Sequence, residues 1–454
     1  MKDLTRGKES SLIMRFALPM LIGNVFQQMY NIVDSIIVGN YLGKEALAAV
    51  GASFPIIFAL ISFVVGISTG ASIIISQYFG AKKYETVKKA SDTLMIFLFV
   101  TAIVISVIGI AFSEQIFRLI DMPAEVIPQA TTYFNIYSTG YIFFFGYYGL
   151  SSILRGLGDS KTPLYFLIFA TIINVILDYT FIVLFKWGIE SVAIATIISQ
   201  AAAFFALAFY LNKTHKIVKL KLKSLQFSKQ LFIESCKLGL PSGLQNTFVA
   251  LGIMALFSIV NSFGTSAAAA YSIASRIDSF ASLPAMNFAA ALSTFVGQNI
   301  GANKTERVRR GLIATIKITS LISIAVSVVA WLFGKELMQL FTNDAEVIEL
   351  GRNYLVIVCS FYIVFSIMFA YTGVLRGAGE TTIPMIITLF AMWFVRVPAS
   401  YLFAGQIGIE GVWWAMPTGW IIGLVFNYMW YKSNRWKKKK VVKIAIEGEI
   451  KASA

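Results

Sequence analysis

Along most of the chain, apolar residues run on for some twenty positions or more before a charge, a proline or a cluster of glycine and polar residues interrupts them. Runs of that length suit helices that cross a bilayer, since about 20 apolar residues span its hydrocarbon layer. Six are read at Leu12 to Asn40, Ala46 to Phe79, Thr93 to Phe112, Ala130 to Leu154, Pro163 to Phe185 and Ile189 to Leu211. Six more follow at Glu234 to Phe263, Ala267 to Ile300, Leu312 to Phe333, Tyr354 to Leu375, Pro384 to Phe403 and Ile409 to Trp430. The pattern predicts an all-α integral membrane protein of twelve transmembrane helices. The stretch before the first run, Met1 to Ser11, is polar and charged, and that run is far longer than a signal-peptide core, so it is expected to remain as a span.

The interruptions alternate in charge. Lys2, Arg6, Lys8 and Arg15 precede the first span, Lys82, Lys83, Lys88 and Lys89 follow the second, and Lys213 through Lys229 join the sixth to the seventh. Lys304, Arg307, Arg309 and Arg310 follow the eighth span, and Lys437 to Lys440 follow the twelfth. The other gaps hold Lys44, Arg118, Lys186 and Lys335, each near an acid such as Glu45, Asp121, Glu190 or Glu336. The positive-inside bias then predicts a multi-pass protein of the plasma (cytoplasmic) membrane with both termini in the cytoplasm. It also accounts for the net charge of +15 without nucleic acid as a partner, because the charges are spread over successive short loops on one side.

The second half repeats the first. Gln77-Tyr-Phe-Gly-Ala-Lys recurs as Gln298-Asn-Ile-Gly-Ala-Asn, and Leu154-Arg-Gly-Leu-Gly-Asp as Leu375-Arg-Gly-Ala-Gly-Glu. Pro163 is matched by Pro384, Gly188-Ile-Glu by Gly408-Ile-Glu, and Pro19 by Pro241. Order is kept throughout and the offset very nearly so, so two six-helix halves descend from one unit. An even number of spans per half makes the repeats parallel, with a substrate cleft expected between them near the midplane. The domain reading is an amino-terminal lobe at 1–212, a basic cytoplasmic linker at 213–228, a carboxy-terminal lobe at 229–432 and a basic cytoplasmic tail at 433–454.

Composition narrows the chemistry. Of 454 residues, 57% are hydrophobic and 13% charged, where a soluble domain carries about 25% charge. The single histidine, His215, lies in a Lys-rich segment, which removes His-based zinc sites and Ser-His-Asp triads. Cys236 and Cys359 stand far apart in apolar runs and read as packed helix residues. Gly156-Leu-Gly-Asp-Ser-Lys-Thr resembles a phosphate-binding loop, but the glycine before Lys161 is missing and the repeat copy has no lysine. Both copies read as short turns between helices, so no nucleotide motor, enzyme activity or cofactor is expected.

Acids inside apolar runs are few: Asp34, Asp178 and Asp278. An ionised Asp at a helix centre costs roughly 2.5–3.5 kcal/mol, so each needs a partner or a purpose. Gln27 and Asn31 precede Asp34 on much the same helical face, and Asn174 stands one turn before Asp178. Two carboxylates approaching from different helices can hold a proton, or can ligate sodium together with amide and hydroxyl oxygens. Asp278, with Arg276 beside it and Pro284 beyond, fits a local charge cluster in a kinked helix as well as a coupling role. Arg396 is expected to be paired structurally. Phe26, Met29 and Tyr30 lie one to two turns before Asp34 and suit a lining for lipophilic cations of varied shape.

Twelve spans in two parallel halves, Pro19 and Asp34 in the first span, Asn174-Val-Ile-Leu-Asp178 in the fifth and the Leu-Arg-Gly turns together resemble the multidrug and toxic compound extrusion (MATE) family over nearly the whole chain. The resemblance implies a cation-coupling site in the amino-terminal lobe at Asp34, Asn174, Asp178, Thr196 and Tyr133, with sodium, if used, held by the first four. It implies bending of the first helix at Pro19. The seventh span offers Gln245 and Asn246 instead of an acid, and the tenth has none, unlike NorM-like members. The chain is therefore similar to the DinF-like or MepA-like branch, and Gln27, Tyr30, Asn31, Gln245 and Asn246 are its candidate substrate-cavity residues. The implied function is secondary active efflux, by alternating access, of amphipathic and often cationic compounds in exchange for H+ or Na+. The expected partners are those small lipophilic molecules and membrane lipids, with the protein a monomer. The alternative is a lipid-linked precursor flippase of the same superfamily. Such a flippase should want arginines in its central cavity, and only Arg276 and Arg396 stand at membrane depth.

Overall fold

A computed structural model describes residues 2–119, 122–215, 217–220, 225–439 and 441–442. Much of the 213–228 linker is included, while Asp121, most of the 433–454 tail and the side chain of Asn31 lie outside the described residues. Every element is helical. In order they are α1 (Glu9–Tyr41), α2 (Gly43–Gly80), α3 (Tyr84–Leu119), α4 (Ile127–Thr139), α5 (Tyr141–Gly156), α6 (Lys161–Asp178) and α7 (Glu190–Thr214). The second half gives α8 (Lys229–Asn261), α9 (Thr265–Gly301), α10 (Thr305–Gln339), α11 (Ala345–Ser360), α12 (Tyr362–Gly377), α13 (Thr382–Leu389), α14 (Val397–Ile407) and α15 (Ile409–Lys432). Wider π-helical turns, Tyr179–Leu184 and Phe390–Arg396, extend α6 and join α13 to α14.

Among the described residues, nine helices are long and apolar enough to cross a membrane, or ten if α11 and α12, bent by 48° at Phe361, form one span. With α1 and the α4–α5 pair, interrupted at Gly140, these make the twelve segments the hydrophobic pattern predicts. The outward face of α3 shows why they are stable in lipid. Val100, Ile103, Val104, Val107 and Ile108 recur at helical spacing and are exposed, while Leu94, Leu98 and Ala102 are buried. Backbone donors and acceptors are paired within each helix, the condition for residing in hydrocarbon.

The chain divides into two compact units. The first comprises 1–2, 22–79 and 83–243, and the second 3–21, 80–82 and 244–454. Thus α1 changes unit after Leu21, two residues beyond Pro19, and α8 changes unit after Gly243, two residues beyond Pro241.

Within the first unit, α8 meets α2 with glycine on both sides. A methyl built on Gly70 would stand 2.4 Å from the Ser235 carbonyl oxygen, and one on Gly239 would stand 2.4 Å from Ile67 Cα. Gly66 and Gly70, one turn apart, oppose Gly239 and Gly243, so the backbones touch directly. The end of the linker is fastened to α3: Ser228 N donates to Thr93 Oγ1 at 3.0 Å, and Gln226 N donates at 3.4 Å to Asp92, which Lys88 of the same helix holds at 2.6 Å.

Within the second unit, the amino-terminal segment and the first half of α1 share a core with α9, α10 and α12, built on Leu4, Ile13, Phe16, Phe295 and Leu375. Polar contacts fix this segment. Leu4 N donates to Gln298 Oε1 at 2.9 Å, Lys304 reaches the Thr5 carbonyl at 2.9 Å, and Arg307 pairs with Glu9 at 3.0 Å while donating to Asn299 and to the Gly7 carbonyl.

Both Leu-Arg-Gly stretches end a helix in the same way. Gly158 (φ +80°) and Gly379 (φ +94°) take the left-handed conformation, and Asp159 N and Glu380 N bond back to the Leu154 and Leu375 carbonyls at 2.8 and 2.9 Å. They are helix-terminating turns, as the missing phosphate-loop glycine leads one to expect. Cys236 and Cys359 are both free thiols, and Cys359 is buried.

Candidate functional site

The first unit brings together residues that the sequence spreads over four spans. Tyr30 and Asp34 come from the second half of α1, Tyr133 from α4, Asn174 and Asp178 from the last two turns of α6, and Thr196 from α7. Local sequence explains the placement. Asn174 and Asp178 are one turn apart and both 1% exposed, so they point to the same interior face. The π-helical turn that starts at Tyr179 widens the backbone directly after Asp178, with Phe185 N bonding to the Thr180 carbonyl at 3.0 Å.

Thr196 is the hub. Its hydroxyl donates to the Val192 carbonyl at 2.8 Å, so the oxygen is left to accept from Asn174 Nδ2 at 3.4 Å and from the Tyr30 hydroxyl at 3.5 Å. Asp34 and Asp178 lie within electrostatic range of each other. Asp34 Oδ1, Asn174 Oδ1 and both Asp178 oxygens are buried without a donor. The groups within electrostatic range of the carboxylates are the phenols of Tyr30 and Tyr133. Buried acceptors left without donors are costly, and a proton or a small hard cation is the species that satisfies them.

The remaining predicted residues divide. Gln27 lies within hydrogen-bonding range of Tyr148, which is itself within electrostatic range of Arg155. Gln245, in the second unit, spends its side-chain amide on the protein: it donates to Thr388 Oγ1 at 2.6 Å and accepts from Arg376 Nη2 at 2.5 Å. Asn246 is exposed, and Pro19 is buried inside α1, which runs through it unbroken. Arg276 is exposed. The expected structural pairing of Arg396 is absent, since among the described residues it has no ion pair and its polar contact is the Met392 thioether at 3.8 Å. The stem of Arg396 lies against α15, where a methyl built on Gly419 would stand 3.3 Å from Arg396 Cβ.

Sequence reasoning missed Tyr148, Arg155 and Arg376. The arginines were legible as the one basic residue in each Leu-Arg-Gly turn, and Tyr133, Tyr137 and Tyr141 carry a signal of their own in their four-residue spacing. Tyr137 packs on Tyr133 at 5.8 Å and on Phe144 at 4.8 Å, continuing an aromatic wall away from the carboxylates.

Comparison with known proteins agrees with this arrangement. The MatE family profile matches residues 19–180 and again 241–402, once in each half. The chain is 33% identical to "Probable multidrug resistance protein YpnP" of Bacillus subtilis (strain 168) over 97% of this chain and 98% of that protein. It is 26% identical to "Probable multidrug resistance protein NorM" of Thermotoga maritima over 95% and 94% of the two chains. A crystal structure of a MATE protein in the bent conformation superposes with a TM-score of 0.90 at 25% identity, covering 96% of this chain and 98% of the other. A multidrug resistance MATE transporter of the MOP superfamily, in an outward-facing conformation, also gives 0.90 at 25% identity, covering 96% and 99%. Helices, repeat and matched stretches lead to one conclusion: the chain belongs to the MatE family, the MATE transporters.

Proposed function

We propose that the protein is a secondary active exporter of amphipathic, often cationic compounds, exchanging them for H+ or Na+ by alternating access. The observation that carries the reading is the set of donor-less buried oxygens on Asp34, Asn174 and Asp178, gathered with Thr196. A cation there satisfies the acceptors, and its departure leaves them bare, so loading and unloading change the energy of the unit that holds them. A transporter couples two fluxes when one ligand shifts the equilibrium between states that bind the other differently. Tyr133 closes the site from α4, and Pro19 lets α1 bend as the load changes.

The relatives' names speak of multidrug resistance and export, which supports breadth of substrate. In this reading Gln27 and Tyr30 of the first unit and Asn246 of the second are candidate contacts for the exported molecule, with Gln245 held by Arg376 within the second unit; Asn31, the other candidate, has a side chain outside the described residues. The protein is a monomer in the cytoplasmic membrane with both termini in the cytoplasm. The test is flux of a lipophilic cation into or out of proteoliposomes under pH and sodium gradients imposed separately. Accumulation driven by one gradient and abolished by Asp34→Asn is expected. Flux indifferent to both gradients refutes the reading.

A further inference from the structure

Where α15 ends and α10 begins, the second unit holds a cavity of about 300 Å³ that cation coupling in the first does not use. Glu306 and Arg309 of α10 line one side, and Lys432, Asn434 and Lys437 line the other, against the rings of Tyr431 and Trp436. The start of the basic tail is built onto the fold here. Asn434 takes the left-handed conformation (φ +56°), and a 3-10 turn follows over Arg435–Lys438. Trp436 is 2% exposed, stacks on Tyr431 at 5.5 Å and donates its indole N–H to the Tyr431 carbonyl at 2.9 Å. That buried indole holds the turn against α15 and so sets Lys437, whose ammonium lies 5.6 Å from the indole ring, beside the cavity.

Charge decides what the cavity accepts. Three cations, Arg309, Lys432 and Lys437, face one acid, Glu306. Glu306 stands 4.0 Å from Arg309 and 3.9 Å from Arg310, loose and exposed pairs that are worth little. Among the described residues Lys432 and Lys437 have no acid partner, and they lie instead over the rings of Tyr428 and Trp436. Lys439, by contrast, pairs with Glu380 at 3.6 Å. The excess of positive charge repels a cation and favours a phosphate, which the guanidinium and ammonium groups can meet with charge-assisted hydrogen bonds. The surroundings decide which phosphate. From Lys432 a stripe of exposed apolar side chains, Tyr428, Val425 and Ile421, runs back along α15 at helical spacing, and one turn beyond Arg309 stands exposed Ile313. A soluble phosphate compound would leave that surface unused. A phospholipid sets its phosphate among the cations and lays an acyl chain along the stripe.

We infer that this cavity is a binding site for the headgroup of an anionic phospholipid, with Arg309, Lys432 and Lys437 holding the phosphate. A zwitterionic headgroup fits less well, because its ammonium would meet the same excess of positive charge. The site does not rest on the export reading above. The test is native mass spectrometry of the purified full chain in detergent, titrated with dioleoylphosphatidylglycerol or with dioleoylphosphatidylcholine, so that no charged bilayer surface contributes. The first phosphatidylglycerol should bind about tenfold tighter than phosphatidylcholine. Lys437→Gln and Arg309→Gln should each weaken it about tenfold, the worth of a charge-assisted hydrogen bond. Lys438→Gln removes the same charge from the same turn outside the cavity and should change nothing. Glu306→Gln removes the one acid and should tighten binding, a gain that a misfolded protein would not show. No preference for phosphatidylglycerol, equal losses in the Lys437 and Lys438 variants, or no gain in Glu306→Gln overturns the site. Displacement of the lipid by an equal concentration of sn-glycerol 1-phosphate would make the occupant a soluble phosphate compound and overturns the lipid assignment.

Discussion

Placing a methyl group on Gly70 should weaken the first unit. The new carbon would stand 2.4 Å from the Ser235 carbonyl oxygen, 2.6 Å from Gly239 N and 2.9 Å from Gly239 Cα, all of them backbone atoms that no rotamer can move. Carbon–oxygen contacts of this type rest at about 3.3–3.6 Å, so α2 and α8 must part by roughly 1 Å. A gap of about 0.5–1 Å forfeits a quarter to a half of each dispersion contact along the crossing. Lipid offers no compensating drive to bring the helices back, because its tails are as apolar as the side chains. Overpacking of this kind costs about 1–3 kcal/mol. For a unit of about two hundred residues, 2 kcal/mol corresponds to a fall of about 4–8 °C in melting temperature. The control lies on the same helix: a methyl on Gly51 meets nothing within 4 Å. Gly51→Ala should be neutral or should gain up to about 1 kcal/mol from helix propensity. Thermal melts of the purified protein in one detergent compare the two. If Gly70→Ala melts at or above the wild type, the backbone crossing is not holding the unit together.

Other outcomes follow from the site and its supports. Asp34→Asn and Asp178→Asn should each abolish gradient-driven efflux while leaving folded protein in the membrane, and the double variant should do no further harm. Independent, multiplying losses would mean that the two carboxylates do not act as one. Pro19→Ala restores a backbone donor to α1 and should slow turnover more than it weakens dye binding; equal loss of both points to packing alone. Glu9→Gln leaves Arg307 with only the Asn299 and Gly7 oxygens and should cost about 1–2 kcal/mol, below the value for a fully buried pair because solvent reaches both groups; chemical denaturation measures it. Burial pushes the His215 imidazole, just past α7, below its ordinary range. The folded protein therefore binds that proton less readily than the unfolded chain, and stability present above the unfolded value of about 6.5 is lost as pH falls through it. His215→Gln should flatten the melting temperature between pH 7 and pH 5.

The spans and the repeat were legible because hydrocarbon thickness imposes a length on every helix, and because a duplicated chain keeps its punctuation. Asp34, Asn174 and Asp178 were legible because a carboxylate in an apolar run is costly enough to need a reason. Thr196 had no such mark, since a helical threonine satisfies itself on the carbonyl four residues back, as it does on Val192. Only resemblance pointed to it. Gln245 read as a cavity residue, and nothing local in the sequence tells that Arg376, 131 positions away, claims its oxygen. The glycine crossing was silent for a different reason. Gly66, Gly70, Gly239 and Gly243 are apolar residues among apolar residues, and what distinguishes them is the space they leave.

The exchange of helical arms described for the two units has a consequence for ancestry. The 22–79 stretch finds its glycine partner in the first half of α8, which belongs to the other repeat, just as the first half of α1 completes the core around α9, α10 and α12. A lone six-helix copy would have bare backbone where that arm belongs. It could close its wall only by borrowing an arm from a twin and lending its own. In the joined chain the linker keeps donor and acceptor together. Two separately expressed halves, cut within 217–225, should accordingly find each other in the membrane and rebuild the transporter, whereas either half made alone should be degraded.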